Sequence, residues 1–265
     1  MRFGVLGALV MHDNGVNCLP SAPKQRQLLS LLLVNANRFV SMDACIEELW
    51  ATDPPRTVIP TLQTYILQIR KSLAVSPQVG SVAKAHKQLV TGKRGYHLTV
   101  PPHSLDLTEF ELWARAGREA ARRQNDVEVV GHLRKALAEW RGPALSDVHT
   151  GLHLRAHADS LEEARIAALE QCFEAELRLG YHQDILSELC VIAVQHPLNE
   201  KLQAQYMLAL YRSGRQAQAL EIFTRLRQTL AEELGIGPSL PVRRLHTAIL
   251  SADTELELTP QPLAR

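Results

Sequence analysis

Thr57, Thr61, Thr64, Gln68 and Lys71 recur at intervals of three and four residues, flanked by Gln63 and Arg70, within the stretch DPPRTVIPTLQTYILQIRKSL at residues 53–73. On a helix these side chains share one face. Their chemistry suits base edges in a major groove. A Gln amide can bond adenine through two atoms, Thr offers a hydroxyl and a methyl to thymine, and Lys or Arg reaches guanine or phosphate. A second basic pair, Lys93 and Arg94, sits between two glycines in GKRG and suits phosphates or a minor groove. Water is the simpler partner of any polar helix face, so the elements that hold these residues have to decide.

In the same stretch Val58, Leu62, Ile66, Ile69 and Leu73 fall within about 40° of one line on a helical wheel, which makes them core-facing. Pro60 is compatible with a helix only in its first turn, where amides have no intrahelical partner, so the helix should begin near residue 58. Two shorter helices precede it. SAPKQRQLLSLLLVNANRFVS gives a leucine-rich helix opened by Pro23 and ended at NANR. Ser41 then N-caps MDACIEELW, with acids in the early turns and Ile46, Leu49 and Trp50 on one face. Asp53, Pro54 and Pro55 end that helix, because proline lacks the amide donor and constrains its predecessor. The opening MRFGVLGALVMHDNG reads as a β-hairpin, and it lacks the small-residue cleavage site of a signal peptide. KQLVTGKRGYHLTV reads as two strands with Lys93 and Arg94 at the tip. Strands, three helices and a basic hairpin together specify a winged helix-turn-helix.

Charge separates along the chain. Residues 1–100 carry 11 Lys and Arg against 5 Asp and Glu, a formal +6, while the remainder stands at −5, giving the net +1. A basic module beside an acidic one points to one polyanionic partner and one of another kind. With 46% hydrophobic and 22% charged residues the composition is that of a globular protein with room for two cores. No apolar run approaches the roughly 18 residues of a membrane span. Cys18, Cys45, Cys172 and Cys190 form no C-x-x-C pair and fit buried thiols in a reducing cytoplasm.

From residue 101 the pattern is helical. Setting ELRLGYHQDILSELCVIAVQHP over ALYRSGRQAQALEIFTRLRQTLA places Gly180 over Gly214, Leu186 over Leu220 and Leu189 over Phe223, a period of 34 residues. That is the tetratricopeptide period, in which each helix pair buries a face on its neighbour. Two copies are too few for stability, so helices at 106–141 and 238–251 should complete the stack. The expected division is a DNA-binding domain at 1–100, a helical domain at 101–251 and a flexible tail at 252–265.

The phrases APKQRQLLSLLL, ELW, DPPRT, TLQTYILQIRKSL, GYHL, LDLTEFE, WRGPAL, HPLNEKL, LALYRSGRQAQALE and EELGIGPS follow one another across residues 1–251. In that order they resemble the Streptomyces antibiotic regulatory protein family. The resemblance implies an OmpR/PhoB-like winged helix joined to a bacterial transcriptional activation domain of tetratricopeptide-like helices. It implies a cytoplasmic, pathway-specific activator of antibiotic or other secondary-metabolite genes, without enzymatic activity or cofactor. Its implied partners are double-stranded promoter DNA bearing direct repeats and RNA polymerase holoenzyme with the principal sigma factor, with two protomers head to tail on the DNA. It also implies that the loop of Asp53, Pro54, Pro55 and Arg56 contacts polymerase. The start of the winged helix near residue 1 leads to the expectation that no receiver domain precedes it and that activity needs no phosphorylation. An ATPase module, present in larger relatives, is not expected, and TGKRGY lacks the spacing and hydroxyl of a phosphate-binding loop.

His149, His153 and His157 are spaced i, i+4, i+8, which on one helix would align three imidazoles for zinc or nickel. Gly151 weakens that helix, and no metal site is expected. No H-E-x-x-H, nucleophile elbow or dinucleotide fingerprint occurs, and Glu162 and Glu163 fit a solvated face. Trp113 and Trp140 fit a helical core better than a ligand box. The rival reading from another class is a tetratricopeptide adaptor whose basic N-terminal domain binds protein.

Overall fold

The computed structural model describes residues 1–257. Its first sheet forms where Asn14 and Gly15, both at positive φ, reverse the chain, the backbone that a tight two-residue hairpin turn requires. Strand β1 (Arg2–Gly4) pairs antiparallel with β2 (Val10–Asp13), and β2 with β3 (Val16–Asn17). The expected N-terminal hairpin is therefore present, with β1 added as a third strand.

Helix α1 (Pro23–Val34) starts at its proline and buries Leu28, Leu29, Leu31, Leu32 and Leu33. Strand β4 (Phe39–Ser41) follows, and Ser41 caps α2 (Met42–Trp50) by accepting from the Ala44 amide at 3.1 Å. Helix α3 (Val58–Val75) begins at residue 58 as expected and buries Leu62, Ile66, Ile69 and Leu73. Short helix α4 (Val82–Gln88) leads into β5 (Leu89–Gly92) and β6 (Gly95–Leu98). The second sheet has the order β4-β6-β5. Sequence reading found neither β4 nor α4, since both are too short for a periodicity to emerge. Gly95 is required by close approach: a Cβ there would stand 2.1 Å from the Val40 carbonyl of the neighbouring strand.

Beyond residue 100 the described chain is helical: α5 (Asp106–Arg122), α6 (Asp126–Ala138), α7 (Leu152–Arg178), α8 (Leu186–Gln195), α9 (Glu200–Arg212), α10 (Gln216–Leu234) and α11 (Leu240–Leu250). The repeat is visible in the backbone, since Gly180 and Gly214 both turn at positive φ, where a side chain would be strained. Leu189 and Phe223, their equivalents nine residues on, are both buried. Met207, Leu210, Phe223, Leu226, Leu230, Val242 and Ile249 form one apolar core across α9, α10 and α11. The anticipated fold class, an α+β winged helix-turn-helix followed by tetratricopeptide-like helices, is thus observed.

The expected boundary at residue 100 follows chain order, whereas packing groups the chain differently. One compact unit comprises Met1–Arg115 with Arg134–Ile166; the other comprises Ala116–Leu133 with the described residues from Ala167. Of the expected tail, residues 258–265 lie outside the described residues. Residues Thr254–Leu256 form a 3₁₀ turn, and the Arg212 guanidinium donates to the Leu256 carbonyl at 2.8 Å. No helix among the described residues is long and apolar enough to cross a membrane.

Candidate nucleic-acid interface

Helix α3 presents a face that sequence periodicity located only in part. Thr57, Gln63, Thr64 and Lys71 are exposed, Thr61 and Gln68 are half-buried, and Pro60 and Leu67 are exposed between them. The outward line therefore runs through Pro60, Thr64, Leu67 and Lys71, with Gln63 beside it, rather than through Thr61 and Gln68. The cause lies in neighbouring elements. Tyr65 stacks on Trp50 of α2, with ring centroids 6.0 Å apart and planes at 17°. That contact covers the side of α3 next to Thr61 and Gln68.

Arg70 corrects the sequence expectation outright. Helical spacing sets it on the flank of the polar face, yet it is only 7% exposed. Its Nε and Nη2 donate to the Leu89 carbonyl at 3.0 and 2.8 Å, and Nη2 also donates to Thr91 Oγ1 at 2.8 Å. Burial pulls its pKa below the ordinary arginine value, with the Tyr96 hydroxyl acting the other way. The planar fork suits this bracing role, since it can hold one carbonyl by two donors. Arg70 thus ties α3 to β5.

The wing tip consists of Lys93 and Arg94 between the paired residues Gly92 and Gly95, and both basic side chains are exposed. The Arg94 carbonyl accepts from the Met42 amide at 2.8 Å, fastening the tip's backbone to the start of α2. Residues 51–57, which include Asp53, Pro54, Pro55 and Arg56, are exposed throughout. This loop is shaped by its own backbone: Ala51 has φ 51°, and the Val58 amide donates to the Pro55 carbonyl at 2.9 Å.

Two buried carboxylates that the sequence reading assigned no role fix the surroundings. Glu48, 2% exposed, accepts from Gln27 Nε2 at 2.9 Å, the Gly151 amide at 2.6 Å and the Leu154 amide at 3.0 Å. It therefore caps the start of α7 from α2. Gly151 is a glycine for that reason, because a Cβ there would stand 2.3 Å from the Glu48 carbonyl. Asp106 accepts from the amides of Val5, Leu6 and Leu107 and from Arg141 Nη2 at 2.9 Å. The phrases LDLTEFE and WRGPAL hence meet through Asp106 and Arg141. The only sequence signal was an acid at an otherwise inward position, visible in ELW and LDL.

The histidine triplet does not assemble. Helix α7 begins at Leu152, so His149 lies outside it, and His153 Nε2 is 3.0 Å from Glu47 Oε2. No group of three or more His, Cys, Asp or Glu placed to hold a metal occurs among the described residues. Trp140 is buried against Phe110, with ring centroids at 5.5 Å and planes at 88°, and Lys135 lies 4.5 Å over the Trp113 ring.

Comparison with known proteins matches both halves. The family described as transcriptional regulatory protein, C terminal, matches residues 17–89, and that of the bacterial transcriptional activator domain matches residues 105–250. The regulatory protein DnrI of Streptomyces peucetius is 43% identical over 97% of this chain and 94% of its own length. The chain is a member of the Streptomyces antibiotic regulatory protein family of transcriptional activators. The family also shows longer relatives: AfsR of Streptomyces coelicolor is 34% identical over 97% of this chain, which spans 25% of its length. The solved structure of Mycobacterium tuberculosis EmbR, in complex with a low-affinity phosphopeptide, superposes with a TM-score of 0.85 at 34% identity, covering 99% of this chain and 66% of that one. The match to the transcriptional regulatory family takes in all of α3 and ends at residue 89, at the start of β5.

Proposed function

We propose that this family member is a pathway-specific activator of secondary-metabolite genes. In this reading residues 1–100 bind promoter DNA and residues 101–251 support activation. Helix α3 enters the major groove and reads bases through Thr57, Gln63, Thr64 and Lys71, with Thr61 and Gln68 at the margin. Lys93 and Arg94 neutralise phosphate at the adjacent groove. Arg70 leaves the set of DNA contacts and becomes the brace between the two prongs. The observation that carries the reading is this brace, since it fixes an exposed helix face and a basic hairpin as one two-pronged body. A protein-binding adaptor has no need of that arrangement.

One winged helix spans few base pairs, so useful specificity calls for a second copy. Direct repeats impose a translation, which sets two protomers head to tail. Asp53, Pro54, Pro55 and Arg56 then form an exposed loop for RNA polymerase carrying the principal sigma factor. The setting is the cytoplasm, and neither catalysis nor a cofactor is required. Footprinting across the promoters of the surrounding genes, with retention followed against salt, tests the proposal. Protected tandem sites and a steep salt dependence from counterion release are expected. Inserting about half a turn, roughly 5 bp, between the repeats should impair both binding and transcription. Undiminished function, or equal function on an inverted repeat, contradicts the tandem arrangement.

A further inference from the structure

The outward line of α3 is less polar than its sequence implies. Pro60, Thr64 and Leu67 follow one another at i, i+4 and i+7, all exposed, and Leu67 is 39% exposed. Thr64 is also less of a donor than its type indicates, because its Oγ1 donates to the Pro60 carbonyl at 2.9 Å. Its hydroxyl hydrogen is committed within the helix, so a methyl group and an acceptor remain to meet a base. Thr57 and Thr61 are likewise turned to each other, Oγ1 to Oγ1, at 3.4 Å. Free donors border the strip, at Gln63 on one side and Lys71 at its end.

A lone exposed leucine is ordinary. An uncharged strip of three side chains along the outward line of this helix is not explained by solvation. It has no role in the core either, which α3 fills with Leu62, Ile66, Ile69 and Leu73. In the major groove just one of the four bases presents an apolar group, the 5-methyl of thymine. Resting on the reading in which α3 enters that groove, we infer that Leu67, flanked by Pro60 and the Thr64 methyl, selects thymine by packing on its 5-methyl group. Gln63 and Lys71 supply the polar contacts on either side. The discrimination is hydrophobic and separate from any amide or ammonium bond.

The test removes one methyl from the DNA. The duplex of highest affinity selected by the full chain from a randomised library is resynthesised with each thymine of the site replaced in turn by uracil. A scrambled duplex and a uracil outside the site serve as controls. Losing one packed methyl should weaken binding about three- to fivefold at one or two positions. Leu67→Ala, a change at an exposed position, should bind the thymine duplex more weakly and no longer distinguish it from the uracil duplex. Selective binding over the scrambled duplex with no response to uracil overturns the inference while leaving base reading intact. So does a uracil response that persists undiminished in Leu67→Ala. Equal binding to selected and scrambled duplexes overturns the inference together with the reading beneath it.

Discussion

The two compact units both have apolar cores and differ in the polar ties added to them. The unit containing the winged helix is closed by buried polar side chains acting over long stretches of chain: Asp106 on the Val5 and Leu6 amides, Glu48 on Gly151 and Leu154, and Arg70 on Leu89. The other unit is closed by leucine, isoleucine and phenylalanine shared between neighbouring helices, with fewer polar ties, such as Gln205 Nε2 to the Glu170 carbonyl and Arg212 Nη1 to the Leu177 carbonyl, both at 2.7 Å. Side-chain packing tolerates small shifts that a fixed hydrogen-bond array does not. A domain that must hold a helix face and a hairpin tip in one register benefits from the second kind. A repeat stack relies chiefly on the first.

All three tryptophans, Trp50, Trp113 and Trp140, lie in the winged-helix unit, so fluorescence reports on it while circular dichroism reports on the helices of both. The largest effect is expected from Glu48→Ala. It leaves the Gly151 and Leu154 amides without their partner, while Gln27 keeps its bond to the residue-48 carbonyl at 2.8 Å, at a cost of about 3 to 5 kcal/mol. The tryptophan transition should move to markedly lower denaturant. A negligible shift would mean that the polar clasp is incidental.

Next comes Leu226→Ala in the repeat core, where a cavity replaces a buried side chain at a cost of about 2 to 4 kcal/mol. Here the early loss should be of helical ellipticity, with tryptophan emission following later. Simultaneous loss of both signals would break the contrast between the units. Arg70→Ala should cost about 2 to 3 kcal/mol by unpairing the Leu89 carbonyl. Its signature is faster amide exchange along β5 and β6 together with weaker binding to every DNA sequence. Normal exchange there combined with altered base preference would return Arg70 to the reading face. Gln68→Ala, at the half-buried margin of α3, should be the mildest, costing at most about 1 kcal/mol in selective binding as measured by titration. A much larger loss would shift the centre of the reading face back toward Thr61 and Gln68.

Sequence made the repeat unit legible because its information is periodic. Gly180 and Gly214, and Leu189 and Phe223, announce themselves at a fixed spacing. The start of α3, its buried face and the Ser41 cap were legible for the same reason, being rules of local backbone and helical geometry. The direction of the outward line was not, since it depends on Tyr65 finding Trp50 and on Arg70 finding Leu89. Neither contact has any signature in helical spacing. Glu48 and Asp106 were hidden similarly, as an acid in a short helix or at the start of a longer one reads as solvated until its distant donors are known.

The proposed division of labour between α3 and the wing is open to test by one binding series. The affinities of Gln63→Ala and Lys93→Ala are measured on the selected and the scrambled duplex across a range of salt. Gln63→Ala should lower the ratio of selected to scrambled binding by about 1 to 3 kcal/mol with the salt slope unchanged. Lys93→Ala should weaken both duplexes alike and reduce the slope by about one. Equal losses on both duplexes for both variants would contradict base reading by the α3 face.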